Sequence, residues 1–226
     1  KPAMRLSAIM ELPVIYAFTH DSIAVGEDGP THQPIEQLTM LRSIPNMNVM
    51  RPADANEVKS AWEYAINHGN NHPSTIVMTR QDLPTETKYD FNKFKKGAYV
   101  LSPESAQLDG ILIASGSEVS IALEAQALLK KEGIDVRVVS MPSTFLFDRQ
   151  EESYKEEVLP FSVSRKLAIE MSEASTYYKY VGTRGQVYNI HTFGASSPGD
   201  TVVKEYGFTA EKIASAFLKM KDYKIS

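Results

Sequence analysis

At 226 residues, with 42% hydrophobic and 23% charged residues, the chain is long enough to bury one or two real cores. Its net charge of −4 gives no basic footprint for nucleic acid, and zero cysteines excludes disulfides and thiolate metal sites. No apolar run approaches membrane-spanning length and the chain reads without a signal peptide, so a cytoplasmic protein with no membrane partner is the expectation.

Lys1 stands where a start methionine would, and structure begins almost at once, so the sequence reads as part of a longer chain. Met4 to Met10 reads as a helix, with Met4, Leu6, Ala8 and Ile9 apolar. Val14 to Thr19 is β-branched and aromatic and predicts a buried parallel strand. The loop His20 to Pro34 follows, H-D-S-I-A-V-G-E-D-G-P-T-H-Q-P, with two histidines and the carboxylates Asp21, Glu27 and Asp28. Pro34 to Ile44 then reads as a helix with Ile35, Leu38 and Leu41 on one side. A polar cluster between a strand's carboxyl end and a helix is where open α/β sheets bind ligands. A plain surface loop with turn chemistry is the competing reading.

Asn48 to Met50 is a short strand ending at Arg51-Pro52. Asp54 caps the next helix, with Glu57 at capping-box spacing. Val58, Ala61, Trp62, Ala65 and Ile66 form its apolar face, and Gly69 ends it. Thr75 to Thr79 is a buried strand with Arg80 at its carboxyl end. His20 and Arg80 therefore take matching places, and parallel neighbouring strands would bring both to one rim. An arginine there has the geometry for bidentate anion binding, although a surface or ion-pair role is commoner.

The segment from Leu83 to Pro103 breaks the pattern and reads as a linker with one short strand, Ala98 to Leu101. Its lysines, Lys93, Lys95 and Lys96, read as a solvated face. A second α/β run follows: a strand at Gly110–Ala114, a helix closed by Gly133, and strands at Asp135–Ser140, Leu167–Met171 and Val187–Phe193. Further helices are expected at Gln150–Val158, Glu173–Tyr180, Thr201–Tyr206 and Thr209–Met220. Ser115 with Glu118 fits a capping box better than a phosphate cradle. His68 and His72 stand four apart, but the glycine, asparagines and proline around them deny a helical metal site. His191 reads as a hydrogen-bonded core histidine in an apolar strand. Strands alternating with helices imply an α/β fold with mostly parallel sheets covered on both faces.

The loop H-D-S-I-A-V-G-E-D-G-P-T-H-Q-P-I-E-Q resembles the corresponding stretch of transketolase, a thiamine-diphosphate enzyme family. The likeness continues through L-R-S-I-P-N-M-N-V-M-R-P-A-D at 41–54, T-R-Q-D-L at 79–83, G-S-E-V at 116–119 and R-V-V-S-M-P-S-T at 137–144. Y-K-Y-V-G at 178–182 and T-F-G at 192–194 carry it almost to the end. Related thiamine enzymes share parts of the loop but not this run of later motifs. One departure is Ser175, where the family pattern has glycine.

The resemblance implies two three-layer α/β/α units with mostly parallel sheets, the first one incomplete. Residues 1–84 would be the later part of the pyrimidine-binding domain, 85–104 a linker, and 105–226 the C-terminal domain. It implies transfer of a two-carbon ketol unit from a ketose phosphate to an aldose phosphate in the pentose phosphate pathway. The substrates would be xylulose 5-phosphate, ribose 5-phosphate, erythrose 4-phosphate, sedoheptulose 7-phosphate and fructose 6-phosphate. By the same resemblance His20 and Arg80 bind the substrate phosphate, and Asp28 accepts a hydrogen bond from a sugar hydroxyl. His32 contacts the reacting hydroxyl and helps its proton transfers. Thiamine diphosphate and Mg2+ or Ca2+ would be held mainly by sequence outside this chain, in a homodimer; no residue here is assigned to either. The alternative is a non-catalytic fragment or association module.

Overall fold

The computed structural model describes residues 1–221 and contains two sheets, each with helices on both faces. The first sheet holds β1 (Ile15–Phe18), β2 (Asn48–Met50) and β3 (Ser74–Val77) in the order β1-β3-β2, all parallel. Helices α1 (Pro2–Ile9) and α2 (Gln37–Arg42) cover one face, where Met4, Ala8, Leu38 and Leu41 meet Val49 and Val77. On the other face α3 (Ala55–Asn67) and α4 (Phe91–Phe94) bring Ala61, Ala65 and Phe94 against Met50 and Ile76. Residues adjacent in a strand point to opposite faces, so Val49 and Met50 feed different cores.

The second sheet has the order β4-β6-β5-β7-β8, built from β4 (Tyr99–Ser102), β5 (Gly110–Ala114), β6 (Val136–Ser140), β7 (Lys166–Glu170) and β8 (Gln186–Asn189). All pairs are parallel except β4 with β6. Leu112 and Ala114 of β5 join the core under α5 (Glu118–Lys131) and α10 (Ala210–Leu218), while Ile111 and Ile113 face the opposite core with Phe147, Val158 and Tyr177. That second core lies beneath α6 (Thr144–Phe147), α7 (Glu152–Val158) and α8 (Tyr178–Val181). The remaining helix is α9 (Gly199–Glu205).

Several sequence expectations need correcting. The strand β1 is not buried as expected: Ala17 and Phe18 are exposed at one edge of the sheet, whereas β2, the other edge, is fully buried. Leu6, Ile9, Trp62 and Ile66 are likewise exposed, so the apolar stripes of α1 and α3 are only partly covered. The strand in the linker forms and joins the second sheet as its antiparallel edge. Two short helices, α4 and α6, were not expected. His191 lies beyond the end of β8 and is exposed, not a core residue.

Candidate functional site

The site begins at the carboxyl ends of β1 and β3. Phe18 is registered with Val77, and the Met78 amide donates to the Phe18 carbonyl at 2.8 Å. His20 and Arg80 leave these two adjacent strands within three residues of their ends, so they share one rim of the sheet. Both are exposed. His20 has φ of +64°, a left-handed conformation that non-glycine residues rarely take. Its Nδ1 is in hydrogen-bond contact with Thr19 Oγ1 at 2.8 Å, which restrains the ring.

From His20 the chain turns into the second unit. A 3-10 turn at Ile23–Val25 is fully buried, and Ile23 and Ala24 are part of the core beneath α5 and α10. Gly26 (φ +85°) passes so close to α9 that a Cβ would lie 2.8 Å from the Gly199 amide nitrogen. Gln33 is buried and donates to the carbonyls of Gly26 at 2.7 Å and Ala195 at 2.9 Å, while Ser196 Oγ donates to the Glu27 carbonyl at 2.6 Å. The loop is thus sealed at its base on both sides, and its polar tip stands out. Asp28 and His32 are on that tip and exposed, with Thr31 Oγ1 2.8 Å from His32 Nδ1. Among the described residues no hydrogen bond or ion pair links any two of His20, Asp28, His32 and Arg80. The structure brings His20 and Arg80 to one strand rim, and places Asp28 and His32 on the loop that leaves it.

A buried polar seam lies beneath this rim, and sequence reasoning did not find it. Arg51 leaves β2 at the same end of the sheet and is completely buried. Its Nε donates to Asp21 Oδ2 at 2.7 Å and its Nη1 to the Ser115 carbonyl and Glu118 Oε1, each at 3.0 Å. Its Nη2 lies 2.9 Å from Glu118 Oε2, close enough for ion pairing though off hydrogen-bond geometry. Arg42 makes a bidentate pair with Glu170, at 2.7 and 2.8 Å. Three of these ions come from the first unit and two from the second, so the seam joins them. Glu118 is therefore not a capping residue: it faces Arg51, and its carboxylate accepts from the Met171 amide. Ser115, the other half of the expected capping box, donates to Glu170 at 3.2 Å instead. The turn between them needs Gly116 (φ +57°), where a Cβ would sit 2.7 Å from the Arg51 guanidinium carbon.

Burial and pairing pull these groups in opposite directions. Burial raises the Glu118 carboxyl above its usual range, with Arg51 opposing. Burial works to raise Glu170, but the Arg42 charge and hydrogen bond, the Arg51 charge and the Ser172 hydroxyl together outweigh it and the net shift is downward. Nearby, buried Glu57 accepts from Tyr99 and Ser140 hydroxyls at 2.7 and 2.6 Å and from the Ala53 amide at 2.7 Å, and burial pushes its carboxyl up. Asp54 caps α3 as expected and also binds the amides of Glu86 and Thr87. A clue to the seam stood in the sequence: Arg51 follows its strand just as His20 and Arg80 follow theirs.

His68 and His72 are explained by ring packing: His72 is buried against Phe145 and Tyr64, and His68 stacks between Tyr64 and Phe91. Among the described residues, no group of three His, Asp or Glu side chains is placed to hold a metal ion.

Comparison with known proteins gives one consistent result. The family model described as transketolase, pyrimidine binding domain matches residues 1–86, and the transketolase-like C-terminal domain model matches 97–209. A probable transketolase of Streptococcus pneumoniae is 52% identical over 98% of this chain and 33% of its own length. The chain spans about a third of the length of the curated relatives it matches. A transketolase of Pichia stipitis, determined as a complex with sedoheptulose 7-phosphate, is 41% identical with a TM-score of 0.91, covering 97% of this chain and 32% of that one. A split gene transketolase, described as an inactive β4 tetramer, is 26% identical with a TM-score of 0.75, covering 92% of this chain and 66% of that one.

Proposed function

The chain belongs to the transketolase family, and from that premise we propose that it forms the sugar-phosphate-binding part of a thiamine-diphosphate-dependent transketolase. The whole enzyme would move a two-carbon ketol unit from a ketose phosphate to an aldose phosphate, as in the pentose phosphate pathway. The observation that carries this reading is the parallel pairing of β1 with β3, which sets His20 and Arg80 on one rim. A phosphate dianion asks for a planar cation and a second donor, and these two side chains supply both. The complex of the Pichia relative with sedoheptulose 7-phosphate supports the substrate class.

The other assignments follow from chemistry and resemblance. Asp28 accepts a hydrogen bond from a sugar hydroxyl and so reads its configuration. His32 contacts the hydroxyl at the reacting end and carries its proton, which suits an imidazole near neutral pH. The exposed tip holding both is fixed by a buried base, so the polar groups are oriented before substrate arrives.

Thiamine diphosphate with Mg2+ or Ca2+ belongs to this reading as the carbanion-stabilising group. Among the described residues no acidic or histidine cluster is placed to hold the cation, and the pyrimidine-binding domain model matches residues 1–86. No step through the cofactor is assigned to this chain, and the reading places that site in sequence the chain does not span.

The split-gene relative favours a second reading, in which this chain is a non-catalytic part that works only with a partner or with missing sequence. One assay tests the catalytic reading. Turnover of xylulose 5-phosphate with ribose 5-phosphate is measured for the chain alone and for the intact protein, each with thiamine diphosphate and Mg2+. Turnover by the intact protein and none by the chain alone is the expected result. No turnover by either would overturn the catalytic reading.

A further inference from the structure

A second cleft lies at the far end of the second sheet from the seam. It has a volume of about 620 Å³, within the range of small-molecule sites. Its walls come from α7, α8 and the segments around β7, and Lys166, the first residue of β7, forms part of its floor. The same strand ends in Glu170, so one strand reaches from the cleft to the seam.

Lys166 is only 7% exposed, yet among the described residues its ammonium has neither a hydrogen-bond acceptor nor a carboxylate within ion-pair distance. Most of the side chain is covered while the ammonium itself keeps some exposure, as an amphipathic lysine does. Burial pulls its pKa below the usual lysine range, with Glu156 opposing from beyond contact distance. The other charges lining the cleft, Arg184 among them, are already engaged. Lys155 pairs with Glu152 at 2.9 Å and Lys179 with Asp148 at 2.5 Å. The Glu156 carboxylate accepts the Phe161 amide at 3.0 Å through both oxygens. The same cleft has an apolar part, lined by Leu159, Val163 and Phe161, whose side chain is 75% exposed. Among the described residues Lys166 is thus a cation with no ion-pair partner in a cleft that also has apolar lining, and such a cation fits an amphiphilic anion.

We propose that this cleft binds a small organic anion, a carboxylate or phosphomonoester with an apolar body, with its charge on Lys166 and its body against Phe161. The site is separate from the proposed sugar-phosphate rim and does not depend on that assignment.

Calorimetric titration of the intact protein with benzoate and with phenyl phosphate tests it, the two probes separating carboxylate from phosphate preference. At least one should bind saturably at millimolar concentration or below. Benzamide, the neutral counterpart, should bind about ten- to a hundredfold more weakly, and Lys166→Met should weaken the better anion by a similar factor. A further readout needs no variant. The better anion should slow acetylation of Lys166 by acetic anhydride several-fold relative to exposed Lys93, measured by peptide mass spectrometry. Equal affinity for benzamide, unchanged affinity in Lys166→Met, no saturable binding of either anion, or no protection of Lys166 would each overturn the proposal.

Discussion

Replacing Arg51 with methionine should weaken the joint between the two units. Arg51 is fully buried and is the cation in contact with both Asp21 and Glu118. Methionine keeps much of the volume but strands both carboxylates without a counter-charge. Removing one partner of a buried pair costs about 3–5 kcal/mol, and here two carboxylates lose theirs, so the upper half of that range is expected. For a chain of this size that is roughly 8–20 °C in Tm. Urea unfolding should be followed by far-UV circular dichroism and by the fluorescence of Trp62, the single tryptophan, which sits in the first unit. The midpoint should fall with little change in slope. Adding Asp21→Asn and Glu118→Gln to Arg51→Met removes the stranded charges and should recover a large part of the loss. A loss below about 1 kcal/mol for the single variant, or no recovery in the triple variant, would refute the account of the seam.

Three other outcomes are expected. Gly116→Ala should cost about 1–3 kcal/mol, because the alanine keeps φ of +57° and presses on Arg51; Gly133→Ala, left-handed but with nothing within 4 Å of its Cβ, should cost clearly less, and equal losses in thermal melts would contradict this. Glu57 is held above its usual pKa, so its contribution is fully present below the reference value of 4.5 and is lost as pH rises through the raised native value. Glu57→Gln, which imitates the protonated form, should therefore gain stability relative to the parent as pH rises from about 4.5; a difference that does not change between pH 4 and 8 would contradict it. Asp28→Ala in the intact protein should lower kcat/KM about ten- to a hundredfold for the favoured hydroxyl epimer and less for the other, whereas a uniform drop would remove Asp28 from the sugar-reading role.

Much of the fold was legible because hydrophobic runs and caps are local signals. The buried strand β5 and the middle of β3 and of β7 are apolar or β-branched stretches, and Asp54 marked the start of α3 by its side chain. Local signals carry no information about neighbours. The apolar run before His20 reads as a buried strand, yet it lies at a sheet edge with Phe18 41% exposed. Ser115 and Glu118 had capping-box spacing, but Arg51, more than sixty residues away in sequence, claims the glutamate. At the rim, the matched positions of His20 and Arg80 could be read from two strand ends. The seam beneath them could not, because it exists only once two sheets from different parts of the chain are packed together.

The central claim is that His20 and Arg80 form a phosphate-binding rim, and Arg80→Ala in the intact protein tests it most directly. The substrate's phosphate lies at the opposite end from the reacting carbonyl, so its binding energy should be much the same in ground and transition states. The variant should raise KM for xylulose 5-phosphate and ribose 5-phosphate with a smaller change in kcat, lowering kcat/KM roughly 30- to 150-fold. With hydroxypyruvate and glycolaldehyde, which carry no phosphate, it should work almost as well as the parent. If Arg80→Ala damages both substrate pairs equally, Arg80 holds the fold and the rim does not bind phosphate.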